Sequence, residues 1–355
     1  MVRKTPLFDA HVQHCGKMVE FAGWTLPVQY KGVIAECQSV RSSVGMFDVS
    51  HMARLKFSGL GALEFLEFVT TNDVGRLEVG QGHYSLLPNS TGGCVDDIVL
   101  YRTSGSEFKM VVNAANHEKD VTHFRSHLTP DVDLTDYSAQ TAMIAVQGPQ
   151  AEVLVSALSD SPNELLSLPL FGSTECNVAG IKVFAARSGY TGEDGYELQC
   201  DAESAEALWD KLAEAGAVPC GLGSRDVLRV EAGLPLYGHE LSDSLSPISA
   251  GLGWVVSRTK SFLGSEHINS ARAAGTPTKL QGLQLEGKRL VTPGADVYAG
   301  HRIGEVTSGV YSPLLECGIA FAFLDAEIKQ GSACEVDVRG SRVHATVVNK
   351  RFFKR

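Results

Sequence analysis

Apolar positions along this chain recur with two different periods. Over 202–215, Ala205, Leu208, Trp209 and Leu212 fall at i, i+3, i+4 and i+7, the spacing of one helix face. Asp201 stands where an N-cap belongs, and Gly216 where the helix should stop. Residues 58–69 form a second helical stretch, with Leu63, Leu66 and Phe68 set against Glu64 and Glu67. A short helix is expected after Gly221-Leu222-Gly223-Ser224, which places Arg225 and Arg229 four apart on one face. Strand alternation marks 94–102 and a hairpin partner at 107–113, joined through Ser104-Gly105-Ser106. Thr141–Gln147 is an apolar strand ending at Gly148-Pro149, where another helix begins.

Beyond about residue 279 the pattern changes. Short strand-like runs at 280–285, 303–307, 318–323, 333–338 and 342–349 alternate with Gly, Pro and Asp turns, and no helical period is found. The expectation is a small all-β barrel or sandwich behind an α+β region. Charge follows the same division. Residues 280–355 carry 10 basic and 8 acidic side chains, a balance of +2, which leaves −12 of the total −10 on the rest.

Composition narrows the class. The 355 residues suffice for two or three domains, and 44% hydrophobic with 20% charged residues fits neither a disordered chain nor a coiled coil. The negative net charge argues against a sequence-independent grip on nucleic acid. No apolar run reaches the length of a membrane span, and the start of the chain has neither a secretory apolar stretch nor a transit character. The expected location is a bacterial cytoplasm, with the mitochondrial matrix (as a processed form) the alternative. The eight cysteines include no CxxC and no two closer than 17 residues, so most are read as buried thiols in a reducing compartment. Asn89-Ser90-Thr91 matches a glycosylation sequon and is read as chance.

Familiar catalytic signatures are absent: no P-loop, no GxSxG, no HExxH, and Gly221-Leu222-Gly223 lacks the third glycine of a dinucleotide fingerprint. The histidines include only one tight pair, His11 and His14, so no metal site is expected. Three segments remain. Asp96 and Asp97 open an apolar strand, so alternation sends them to opposite faces; either both cap a turn, or one faces inward as a desolvated, chemically useful carboxylate. The 187–197 segment packs three glycines into seven residues and reads as a tight hairpin with Glu197 opening the return strand. It is either a plain turn, or Glu197 is buried and needs a ligand with two adjacent N–H groups, such as an aminopyrimidinone edge. In the third, Arg225 and Arg229 either pair with Asp226 or Glu231 or hold a carboxylate ligand.

In their order and spacing these segments resemble the aminomethyltransferase (T-protein) family of the glycine cleavage system. The likeness runs from Thr5 to the last residues through Thr5-Pro6-Leu7-Phe8-Asp9, residues 16–24, Phe47-Asp48-Val49-Ser50-His51-Met52, Asp96-Asp97, residues 189–195 and residues 225–233. The resemblance implies a three-domain clover-leaf around a central folate channel, closed on one side by a C-terminal barrel-like β-domain. The expected division is a bilobed 1–278 region (about 1–52 with 138–225, and 53–137 with 226–278), followed by 279–355. It also implies the reaction: a lipoylated H-protein presents an aminomethyl group on its dithiol arm, tetrahydrofolate accepts the carbon, and ammonia leaves. Asp97 matches the catalytic carboxylate, with Asp96 the second candidate. Glu197 matches the carboxylate that reads the pterin edge, Tyr190 a ring lining the site, and Arg225 the arginine near the folate. Met52, Asn113 and Trp254 fall where the family lines the cofactor cavity, and Arg355 stands where a tail residue approaches the glutamate end. Arg229 is the alternative structural partner on the same helix face.

Three other readings compete with this one. A folate-dependent demethylase shares the superfamily, but its oxidase relatives carry a flavin domain for which 355 residues leave no room. A folate-binding accessory protein of iron–sulfur maintenance would carry Lys-Gly-Cys, which this chain lacks. A folate storage or sensing module would have no turnover to lose.

Overall fold

The computed structural model describes residues 2–355, which divide into two compact units. The first comprises the chain up to Glu67, Asp73–Ser85 and Ile98–Arg225; the second comprises Phe68–Asn72, Leu86–Asp97 and Asp226–Arg355.

The first unit is built on a six-stranded sheet in the order Ser173–Val178, Ile181–Ala186, Gly195–Asp201, Thr141–Gln147, Gly45–Asp48 and Val218–Pro219. Its central strand Thr141–Gln147 pairs antiparallel with Gly195–Asp201 on one side and Gly45–Asp48 on the other. The helix Ala205–Glu214 lays Ala205, Leu208, Trp209 and Leu212 on this sheet, against Met46, Ile144, Val146 and Leu198. The i, i+3, i+4, i+7 reading therefore holds. The expected cap does not: Asp201 belongs to the preceding strand and makes no capping bond, and a 3-10 turn, Ala202–Ser204, leads into the helix. A three-stranded sheet of Arg3–Lys4, Trp24–Gln29 and Lys17–Phe21 adds the N-terminal part.

That part is fastened by a buried polar cluster. Asp48 Oδ2 accepts from Thr5 (2.6 Å) and meets His11 Nε2 at 2.9 Å, while Oδ1 accepts the Ser50 N–H at 2.8 Å. Burial alone would raise the Asp48 pKa, but His11, Ser50 and Thr5 outweigh it and hold the carboxyl at about 2.

A five-stranded sheet runs Gly82–Pro88, Cys94–Arg102, Glu107–Val112, Ala53–Ser58 and Asp133–Asp136. It contains the expected 94–102 and 107–113 hairpin, and its first two strands cross the division between the units.

The second unit contains a closed six-stranded barrel: Thr278–Leu285, Cys317–Asp325, His301–Ser312, Asp296–Ala299, Ala333–Val338 and Ser341–Val348. Val343, Ala345 and Val347 point into its core, and Arg342, His344 and Thr346 alternate outward. The sequence marked five of these strands; Asp296–Ala299 is the sixth, too short to show a period of its own. All eight cysteines are free thiols and seven are buried. Among the described residues no helix is long and apolar enough to cross a membrane.

Candidate functional site

Glu197 sits in the strand Gly195–Asp201, opposite Ala145 on one neighbouring strand and Ala186 on the other. Two alanines leave room above the sheet at this point. The side chain keeps some accessible surface, yet lies deep enough that burial pushes its pKa up, offset in part by Ser188 and the Arg225 charge. Ser188 Oγ donates to Glu197 Oε2 at 2.5 Å, and Tyr101 OH donates to Ser188 Oγ at 3.0 Å. Tyr101 is buried with its edge against Phe184, ring centroids 5.5 Å apart. Burial, with Glu197 nearby, raises its pKa and keeps the phenol a donor.

The loop that carries Tyr190 is held from three sides. Arg187 grips Asp194 through two bonds of 3.0 and 2.6 Å and also donates to the Leu168 carbonyl. Arg41 donates to the Thr191 carbonyl at 2.8 Å and to Glu193 at 3.1 Å. Buried Gln147 donates to the Ser188 carbonyl and accepts from Thr191 Oγ1 at 2.8 Å. This explains two of the glycines. A Cβ at Gly189 would lie 1.8 Å from Gln147 Oε1, and one at Gly195, where φ is +154°, 2.0 Å from the Val146 carbonyl oxygen.

Arg225 comes from the helix Leu222–Ala232, and its guanidinium lies 4.5 Å from the centre of the Tyr190 ring. Glu36 fixes the start of that helix. Its Oε2 accepts Gly221 N–H and Ser224 Oγ, both at 2.9 Å, and its Oε1 accepts the N–H groups of Tyr30 and Lys31 at 2.6 and 3.1 Å. The two glycines here serve packing: a Cβ at Gly221 would lie 2.4 Å from the Val28 carbonyl, and one at Gly223 2.6 Å from the Val33 side chain. Pro27, Phe47, Asp48, Gly221 and Arg225 line a small cavity beside this helix start.

In the second unit, Asp96 and Asp97 lie within the strand Cys94–Arg102, as its third and fourth residues. Asp96 is fully buried, and Asp97, on the other face, is half-buried. The inward carboxylate is thus Asp96, whereas the residue matched to the catalytic role is the accessible Asp97. The turn before them is formed by Asn89, whose Oδ1 accepts from Thr91 and Gly93 and whose Nδ2 donates to the Asp243 carbonyl at 2.8 Å. Gly93 admits that carbonyl, which lies 1.7 Å from where a Cβ would stand. The sequon asparagine is therefore a turn-former. Tyr237 donates to Asp243 at 2.9 Å; burial, Asp243 and nearby Asp96 together hold the phenol protonated.

The remaining candidates lie on separate elements of the chain. Half-buried Met52 follows a tight turn, its carbonyl held by buried Arg54 at 2.6 Å. Asn113 ends the Glu107–Val112 strand, half-buried. Trp254 lies on a short 3-10 helix with 71% of its surface exposed, and Arg355 is exposed. Arg229 is the structural partner of the two helix arginines. It is buried against Glu240 (3.1 Å), Asp226 (2.9 Å) and Ser308 (2.8 Å). Glu231 pairs instead with Ser312 at 2.6 Å.

Sequence reasoning did not single out His51, Ser188, Tyr101, Gln147 or Glu36. His51 is buried and held neutral, its pKa lowered to about 3 by burial and by Arg225. Its Nδ1 has no hydrogen-bond partner among the described residues. Its signal in the sequence is its place in the Phe47–Met52 segment.

Residues 7–260 match the family described as the GCVT N-terminal domain, and residues 279–354 the glycine cleavage T-protein C-terminal barrel domain. An aminomethyltransferase of Halalkalibacterium halodurans is 43% identical over 362 residues, covering 100% of this chain and 99% of that protein. An aminomethyltransferase of Bacillus subtilis is 39% identical over 363 residues, covering both chains fully. The crystal structure of glycine cleavage system aminomethyltransferase T from Bartonella henselae superposes with a TM-score of 0.92 at 30% identity, over 100% of this chain and 99% of that one. The chain belongs to the glycine cleavage T-protein family of aminomethyltransferases.

Proposed function

We infer that this protein transfers the one-carbon unit of an aminomethyl group, carried on the dihydrolipoyl arm of an H-protein, to tetrahydrofolate with release of ammonia. The observation that carries this reading is Glu197. It is a deep carboxylate that keeps accessible surface, held by one hydroxyl, with the Arg225 charge acting on it and the Tyr190 ring against that guanidinium. Ionised, it accepts two hydrogen bonds from adjacent N–H groups, which the aminopyrimidinone edge of a pterin offers. Tyr190 and Arg225 supply a π face and a positive charge, and Met52 and Asn113 are assigned to the lining.

Bound tetrahydrofolate supplies the nitrogen nucleophile. As the C–S bond to the lipoyl arm breaks, positive, iminium-like charge grows on the transferred carbon; one folate nitrogen bonds to it, the second displaces its amino group as ammonia, and the protons given up by the two folate N–H groups go to the departing thiolate and amine. Asp97 is assigned to this charge: a fixed, accessible carboxylate orients the attack and stabilises the developing cation without itself exchanging a proton. Trp254 and Arg355 are assigned peripheral roles, Arg355 toward the anionic glutamate end of the folate. The domain division at 279 and the central folate channel belong to the same reading.

The test mixes the protein with aminomethylated, lipoylated H-protein and tetrahydrofolate, and measures ammonia and methylene-tetrahydrofolate. Both products are expected in equal amounts. No product from the wild-type chain would overturn the reading.

A further inference from the structure

We propose that Ser188 and Tyr101 are positioning residues that set the direction of hydrogen bonding at Glu197, so that its carboxylate receives hydrogen bonds and presents its remaining lone pairs to an incoming pair of N–H donors. The inference deepens the reading of Glu197 as the carboxylate that meets the ligand, and rests on it.

The geometry leaves little choice of proton placement. Tyr101 is a buried phenol with a raised pKa, so it donates, and the acceptor it meets is Ser188 Oγ at 3.0 Å. A serine hydroxyl has one proton. While the oxygen accepts from Tyr101, the carboxylate, which has no proton to give when ionised, takes that proton as acceptor at Glu197 Oε2, 2.5 Å away. The chain Tyr101 to Ser188 to Glu197 therefore runs one way, and successive donors polarise one another. Ser188 is itself fixed: its carbonyl accepts from buried Gln147 at 2.9 Å and its N–H donates to the Ala186 carbonyl at 2.9 Å. Phe184 and Ala186 close an apolar cluster around Tyr101.

This arrangement counteracts burial. Burial beside two alanines favours the protonated form of this carboxyl, which would be a donor unable to accept both N–H groups of the ligand, and the Ser188 hydrogen bond opposes that. The charged and titratable groups that face it are few. Arg225 approaches from the Leu222–Ala232 helix, with His51 beyond it, and Tyr101 comes from the Cys94–Arg102 strand. Lys109 rides on the far side, over the Phe184 ring at 4.2 Å. Tyr137, which donates to Gln199, is the remaining neighbour of Tyr101. Of these, Arg225 and the Ser188 hydroxyl favour the ionised form, and Ser188 is the one that touches it.

Two measurements test the proposal on the full chain. The first needs no ligand: isotope-edited infrared difference spectra, referenced to E197Q, follow the protonation of the Glu197 carboxyl against pH. Losing a hydrogen bond to a charged group should move the S188A midpoint up by about one pH unit. Y101F should move it in the same direction by less, and S188T, which keeps the hydroxyl, should restore it. The second is tetrahydrofolate affinity against pH. Affinity should fall as pH drops through the Glu197 midpoint, and S188A should shift that fall to higher pH and bind about tenfold more weakly near neutrality. Unchanged midpoints in both S188A and Y101F would overturn the proposal, and Y101F alone decides it should S188A not fold. Wild-type folate affinity in E197Q would instead overturn the ligand assignment of Glu197, and the infrared comparison would still decide the relay.

Discussion

Two deep carboxylates of the first unit, Glu36 and Glu197, are built in opposite ways. Glu36 is fully buried and both its oxygens are occupied, by three backbone N–H groups and the Ser224 hydroxyl. Glu197 is as deeply placed but keeps accessible surface, and the structure gives it a single hydroxyl donor. A saturated carboxylate has nothing left to offer a ligand, and its energy goes into holding chain segments together. One that is lightly held is poorly compensated for its burial, and a ligand can supply what is missing. Asp48, enclosed by His11, Thr5 and Ser50, belongs with Glu36, whereas Asp97 of the second unit is half-buried.

The contrast fails if saturated carboxylates turn out to be functional or lightly held ones structural. The largest effect is expected from E36A, which strips the acceptor from three backbone N–H groups and a hydroxyl. It should cost about 3–5 kcal/mol of stability, measured by urea unfolding, and a loss under about 1 kcal/mol would contradict the saturated role. D97N should leave unfolding nearly unchanged while kcat falls about a hundredfold to a thousandfold. Its tetrahydrofolate Kd should stay within about twofold, and equal losses in both quantities would make Asp97 a binding residue.

D48N comes next. Asp48 titrates at about 2 in the folded chain, below the ordinary value of 3.8, so its contribution is present above that ordinary value and lost as pH falls toward 2. That difference corresponds to roughly 2 kcal/mol, and D48N should flatten the acid limb of the stability curve by that order. The smallest effect on stability belongs to E197Q. Burial lifts the folded-state pKa of Glu197 above its unfolded value, so the residue costs stability once pH exceeds the folded value. E197Q should therefore equal or slightly exceed wild type at neutral pH, with the gain fading as pH drops into the ordinary carboxylate range. Its tetrahydrofolate affinity should nonetheless fall about tenfold, the signature of a lightly held group.

What was legible in the sequence was periodic or local. Leu208, Trp209 and Leu212 announce their helix because the face they share is continuous in the chain. The barrel announces itself through alternation, except where Asp296–Ala299 is only four residues long. Glu197 is legible as a strand residue after a glycine turn, and the Asp96–Asp97 alternation is legible as two faces. Partnerships across long separations are not. Ser224 meets Glu36 across 188 residues and Tyr101 meets Ser188 across 87, and no spacing rule ties a tyrosine on one sheet to a serine in another sheet's loop. Asp201 shows the converse limit: a good capping residue was overruled because the strand before it extends to that position.

The placement of the three tryptophans gives the molecule its own optical reporters. Trp209 is sealed in the first unit's core with its ring edge against His11, centroids 5.2 Å apart, and Trp24, in the same unit, lies under the Arg3 guanidinium at 4.4 Å. Trp254, in the second unit, stands in water over most of its surface. Emission from Trp254 should be red-shifted and readily quenched by acrylamide, and that from Trp209 blue-shifted and protected. A variant keeping Trp209 alone would then report the opening of the first unit by light alone, while Trp254, already in water, marks the solvent-exposed reference.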